Sequence, residues 1–205
     1  MGVTIHYGGA IRSLDMIDEL VDEIVEISKA NDWKYKIIDT NKQKNNSHKD
    51  QLPHLKGISF GAAKSESVWL TFNDQRKLLS PMVAMFTHDI VEEENVKYHA
   101  FTKTQFAGVE YHIKLVKILK YVSKKYFSDW RVSDESSYYE TEDREQLVDC
   151  MNIIDRSMAA LTDAFNVHGE DIAQKSEEEI KDFIEQVLGN QTIDVKIIKL
   201  GTEEE

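Results

Sequence analysis

Apolar spacing along this chain switches between a period of two and a period of about 3.6, and the switches predict its elements. Val3, Ile5 and Tyr7 alternate with Thr4 and His6, which predicts a half-buried strand ending at Gly8-Gly9. Ser13 can cap the helix that follows, with Asp15 in its first turn. Ile17, Leu20, Val21, Ile24 and Ile27 form the apolar stripe of that helix, and Asp15, Asp18, Glu19, Asp22, Glu23 and Glu26 form a solvated acidic face. Trp33 to Asp39 returns as a strand and completes a β-α-β unit.

Thr40 to His54 is rich in Asn, Lys, Gln and Asp and has little to bury, so it reads as a flexible insertion with exposed His48 and His54. Gly57–Ala62, Ser67–Asn73 and Lys77–Met82 then read as three short strands of an antiparallel meander. Val96 to Lys103 is a further strand. It passes through Thr104-Gln105-Phe106-Ala107-Gly108 into a helix that reaches Tyr126, with Tyr111, Leu115, Ile118, Leu119, Val122 and Tyr126 on its apolar side. Asp129–Ser133 reads as a short strand, and Glu142–Phe165 as a longer helix. Ser176-Glu177-Glu178-Glu179 is a capping-box pattern that opens another helix, closed by Gly189. Ile193, Val195 and Ile197 alternate in a terminal strand before an acidic tail at 201–205, expected to be disordered.

These patterns give an α+β fold: a mainly antiparallel mixed sheet with helices on one face, because strands that alternate leave one apolar face to bury. Asp32-Trp33-Lys34 after the first helix echoes Asp129-Trp130-Arg131 after the later one. The echo allows two β-α-β units in one sheet, a ferredoxin-like elaboration. A single domain is expected over residues 1–200, with the flexible insertion at about 40–54.

Composition narrows the function classes. The formal net charge is −12, which disfavours nucleic acid and anionic membrane surfaces, since both reward Lys and Arg. No apolar run approaches the roughly 20 residues that span a bilayer, and the N-terminus shows no signal-peptide arrangement. The expectation is a cytoplasmic protein. Cys150 is the only cysteine and lies in a helical pattern, where a buried small hydrophobe is the ordinary reading.

Chemistry is sparse. Gly57-Ile58-Ser59-Phe60-Gly61 matches G-x-S-x-G, yet a nucleophile elbow needs a core strand before it and a helix immediately after. Here a polar stretch with Pro53 precedes it and another strand follows, so an ordinary glycine-flanked strand is expected. Nothing resembles a phosphate-binding loop or a clustered set of metal ligands, and no metal or cofactor is expected. What remains is the junction between the Val96–Lys103 strand and its helix, where His99, Lys103, Gln105 and His112 come near one another. His99 and Lys103 share a strand face, and His112 lies near the buried side of the helix, where a structural histidine is the ordinary reading.

The expected function is therefore a noncatalytic protein-binding or regulatory module, with a protein partner and a basic one suited to the net charge. The alternative is an enzyme or small-ligand-binding protein using His99, Lys103, Gln105 and His112. A concave pocket at those residues favours the second; a surface patch elsewhere favours the first.

Overall fold

The computed structural model describes residues 3–40, 54–86, 100–172 and 176–189. The chain divides into two compact units, Met1–Met151 and Asn152–Glu205. The first contains two three-stranded antiparallel sheets with helices against them, an α+β fold.

One sheet has β1 (Thr4–Ile11) at its centre, flanked by β5 (Ala100–Lys103) and β6 (Phe127–Asp134). Both neighbours run antiparallel to β1 and hence parallel to each other. Helix α3 (Val109–Tyr126) carries the chain from β5 to β6, so β5-α3-β6 is a β-α-β unit split around β1. The other sheet has the order β2 (Lys34–Asp39), β3 (Lys56–Gly61), β4 (Val68–Phe72). The expected unit of β1, helix α1 (Met16–Ala30) and β2 is thus not formed within one sheet. Its physical obstacle is plain: β5 and β6 already occupy both edges of β1, and β2 finds its partner in β3.

Other boundaries also moved. β1 does not end at Gly8-Gly9 but runs through them to Ile11. Gly9 has φ +149°, and a Cβ there would lie 2.1 Å from the Asp129 carbonyl oxygen of β6, so only glycine lets the two strands approach. Gly57 repeats the arrangement against the Leu70 carbonyl at 2.1 Å. That explains the first glycine of G-x-S-x-G as a packing requirement of the β3–β4 pair. The third meander strand is absent: Lys77 and Leu78 make only isolated bridges, to Ala10 and Phe72, and α2 (Pro81–Phe86) starts straight after Ser80. Proline at a first helical position costs no hydrogen bond, which favours that start. A short helix α4 (Tyr138–Thr141), not expected from the sequence, precedes α5 (Arg144–Ile172).

The core of the first unit joins Ile5, Tyr7 and Ile11 of β1 to Ile17, Leu20 and Ile24 of α1, Leu115, Leu119 and Val122 of α3, and Ile58, Phe60 and Leu70 of the second sheet. The acidic face of α1 is not purely solvated, since Lys125 pairs with both Glu19 and Glu23. In the second unit α5 continues and α6 (Glu177–Gly189) follows. The capping box forms: Ser176 N–H donates to Glu179 Oε2 at 2.8 Å, and Glu179 N–H donates to Ser176 Oγ at 3.3 Å. Among the described residues no helix is long and apolar enough to cross a membrane. The insertion at 41–53, the terminal strand from Ile193 and the acidic tail lie outside the described residues.

Candidate functional site

Three of the four sequence candidates, Lys103, Gln105 and His112, are described at the β5–α3 junction, and their side chains go to separate partners. His99 lies outside the described residues. Gln105 is 7% exposed and fully committed: its Oε1 accepts from Val3 N–H at 2.9 Å, and its Nε2 donates to the Met151 carbonyl at 2.6 Å. It ties the start of β1 to α5. Lys103 uses its backbone to hold Glu66, whose carboxylate accepts from Lys103 N–H at 2.9 Å, and its ammonium lies 5.6 Å over the ring of exposed Phe106.

His112 is buried completely and spends both ring nitrogens on protein. Nδ1 meets Thr104 Oγ1 at 2.8 Å, and Nε2 meets Asp134 Oδ2 at 2.9 Å. Asp134 in turn accepts from Ser136 N–H at 3.0 Å, Ser136 O–H at 2.8 Å and Tyr139 N–H at 3.0 Å. Burial alone would raise the Asp134 pKa. The hydrogen bond and charge of His112, with the two bonds from Ser136, outweigh it and hold the carboxyl below its ordinary value.

The Thr104 hydroxyl can donate to Nδ1 or, turned toward the Val3 carbonyl 3.2 Å away, accept from Nδ1–H. Hydroxyl, imidazole and carboxylate stand in the order of a nucleophilic triad, but Thr104 is 0% exposed and offers no surface to a substrate. The cluster binds the β5–α3 junction to the β6–α4 turn. In the sequence Asp134 opens the acidic Asp134–Glu145 approach to a helix and nothing pairs it with His112, although Asp-Glu-Ser is a readable Asx-turn signal at a strand end.

Ser59 is likewise unsuited to nucleophilic work. It sits within β3, opposite Lys36 on one side and Trp69 on the other, with no histidine beside it in the ladder. Cys150 is half-buried, and burial pushes its thiol pKa up, away from a reactive thiolate. Among the described residues no group of three or more His, Cys, Asp or Glu side chains is placed to hold a metal ion. His54, expected to be exposed, is half-buried between Asp74 at 2.8 Å and Asp39 at 3.4 Å. His48 lies outside the described residues.

A different region presents unused polar groups: the outer edge of the β2-β3-β4 sheet. Thr40 N–H donates to the Leu55 carbonyl one step beyond the Asp39↔Lys56 pair, which sets the alternation of the ladder. Lys34, Lys36 and Ile38 turn their backbone groups toward β3, while Tyr35 and Ile37 turn theirs outward. The far edge confirms the parity, because the Trp69 backbone of β4 faces away from β3 and meets the Tyr7 hydroxyl instead. Tyr7 Oη accepts from Trp69 N–H at 2.9 Å and donates to the Trp69 carbonyl at 3.3 Å. No equivalent closure exists at Tyr35 and Ile37 among the described residues. Beside them a cleft of about 360 Å³ is lined by Lys34, Lys36, Lys64, Ser59, Ser65 and Ser67. The sequence held a signal for this edge in the alternation Lys34-Tyr35-Lys36-Ile37, lysine being a common guard of exposed strands. No family model matches the chain, and neither does any curated protein or solved structure.

Proposed function

We propose that this chain is a noncatalytic protein-binding module that receives an extended segment of its partner along the edge of β2. One observation carries the reading: Tyr35 and Ile37 direct their backbone groups outward with no partner among the described residues, and Ile37 is 57% exposed. An added strand supplies the missing hydrogen bonds and covers both apolar side chains. The alternative site around Lys103 and His112 draws less support, because Gln105 and His112 are buried and their polar atoms already engaged. The net charge of −12 disfavours nucleic acid as the partner, and a cytoplasmic location is part of the proposal.

Amide hydrogen exchange tests the proposal. Short peptides selected for binding to the intact chain should slow exchange at Tyr35 and Ile37, and leave Lys36 and Ile38 nearly unchanged, since these already bond to β3. Ile37→Pro removes one outward donor without touching the β3 ladder, so it should abolish binding while the protein stays folded. Selected peptides that protect only some other surface, and bind Ile37→Pro equally well, would exclude strand addition.

A further inference from the structure

We infer that the segment received by β2 is an acidic one, with carboxylates at alternate positions seated against Lys34 and Lys36 and within reach of Lys64. The inference rests on the strand-addition reading and adds the chemistry of the ligand to it. Four of the described lysines are paired with carboxylates. Lys29 pairs with Glu26, Lys56 with Asp18, Lys120 with Glu142, and Lys125 with Glu19 and Glu23. Lys34, Lys36 and Lys64 are exposed and have no carboxylate partner among the described residues, yet they line one cleft. A molecule with a net charge of −12 thus keeps a local patch of positive charge beside its open strand. The Glu66 carboxylate, on the neighbouring loop, accepts from Lys103 N–H.

Geometry adds a spacing rule. Side chains two residues apart on a strand leave the same face about 6.6–6.8 Å apart. Lys34 and Lys36 therefore meet side chains i and i+2 of an added strand, while the residue between lands on the face of Tyr35 and Ile37. The matching ligand alternates acidic and apolar residues. Its backbone satisfies Tyr35 and Ile37, its carboxylates meet the lysines, and its apolar side chains cover the exposed aromatic and aliphatic groups. A second copy of this chain fits poorly, because pairing β2 with β2 sets lysine against lysine. A nucleic acid could meet the lysines but offers no strand to the backbone edge.

The test uses the intact chain, a short alternating Val/Glu peptide, its Val/Lys counterpart and a short oligothymidylate. The Val/Glu peptide should bind, slow the Tyr35 and Ile37 amides, and weaken as salt rises. Lys34→Ala and Lys36→Ala should each lower its affinity about two- to fivefold, as exposed ion pairs do. Lys36→Glu should lower it about tenfold and shift preference toward Val/Lys. If both peptides bind equally and slow the same amides, strand addition survives and the acidic assignment fails. If Val/Glu binds without slowing those amides, strand addition itself fails, and this inference with it. Binding by neither peptide, or tighter lysine-dependent binding of the oligonucleotide, overturns the acidic-strand assignment. Lysine variants that retain Val/Glu binding but begin to self-associate make these lysines guards of the edge and overturn it too.

Discussion

The β5–α3 junction and the β2 edge are both rich in polar groups, and they use them in opposite ways. At the junction, Gln105, Thr104, His112 and Asp134 are buried and hydrogen-bonded to neighbouring side chains and to backbone. At the edge, Tyr35 and Ile37 leave backbone groups unanswered and three lysines lack carboxylates among the described residues. Buried polar groups that are fully paired fix a fold, because loss of any member strands the others away from water. Polar groups left open at a surface cost little there and remain free for a partner. A cluster of histidine and lysine in sequence is therefore a poor guide to function until burial separates the two cases.

The largest effect in either region should follow His112→Ala. It leaves Asp134 as a buried carboxylate without its main partner, removes one of the Thr104 hydroxyl's two partners and opens a void. Breaking a buried pair in this way typically costs about 3–5 kcal/mol. Calorimetry should show a large drop in Tm; a loss below about 1 kcal/mol would mean the cluster contributes little to the fold. Asp134→Asn should be milder, about 2 kcal/mol at neutral pH, since the amide keeps some of the geometry. Its pH dependence is the sharper readout. The Asp134 pKa is depressed in the folded protein, so its contribution is complete above the unfolded value of about 3.9 and is lost as pH falls through the folded value. The stability gap between the parent protein and Asp134→Asn should therefore narrow below about pH 4. A gap independent of pH would show that the carboxylate charge is not what stabilises the junction.

How legible these regions were in the sequence follows from the same contrast. Periodicity located α1 and α3 closely, because each buries one regular face: Ile17, Leu20, Val21 and Ile24 all go inside, as do Leu115, Leu119 and Val122; β3 and β4, buried on both faces, were legible instead as short apolar runs between turn residues. It also identified the core side of His112. What it could not supply was pairing. That β1 is central depends on β5, nearly a hundred residues away, so the division into two sheets was hidden, and so was the open edge of β2. Gly8-Gly9 was misread as a stop because the reason for Gly9, the close Asp129 carbonyl, lies on a strand distant in sequence. Asp134 was local and readable, but its importance comes from His112, which reaches it only after α3 has folded back.

The two edges of the second sheet allow a smaller test of the same idea. On β4 the Tyr7 hydroxyl serves the Trp69 backbone in both directions, and Tyr7 is 0% exposed. Tyr7→Phe preserves the ring but strands that N–H and carbonyl in the interior, which should cost about 1–2 kcal/mol. The Trp69 amide should then exchange faster in the native state, as the Tyr35 and Ile37 amides are expected to do in the parent protein. An unchanged Trp69 exchange rate would mean that this edge is protected by packing alone, and would weaken the contrast with β2.

The smallest expected effect is the most informative about the open edge. Ile37 is 57% exposed and its N–H does not serve the ladder, so Ile37→Thr exchanges one β-branched side chain for another with little burial to lose. Lys36→Ala removes an exposed charge with no carboxylate partner among the described residues. Each change should alter stability by no more than about 0.5 kcal/mol, the range for surface substitutions that break no named interaction. Chemical denaturation of the two variants and the double variant checks this directly. A loss of about 1 kcal/mol or more at either position would mean that this face is already engaged within the chain. The edge of β2 would then resemble the His112 junction, and a side chain that stabilises the fold would no longer be spare for a partner.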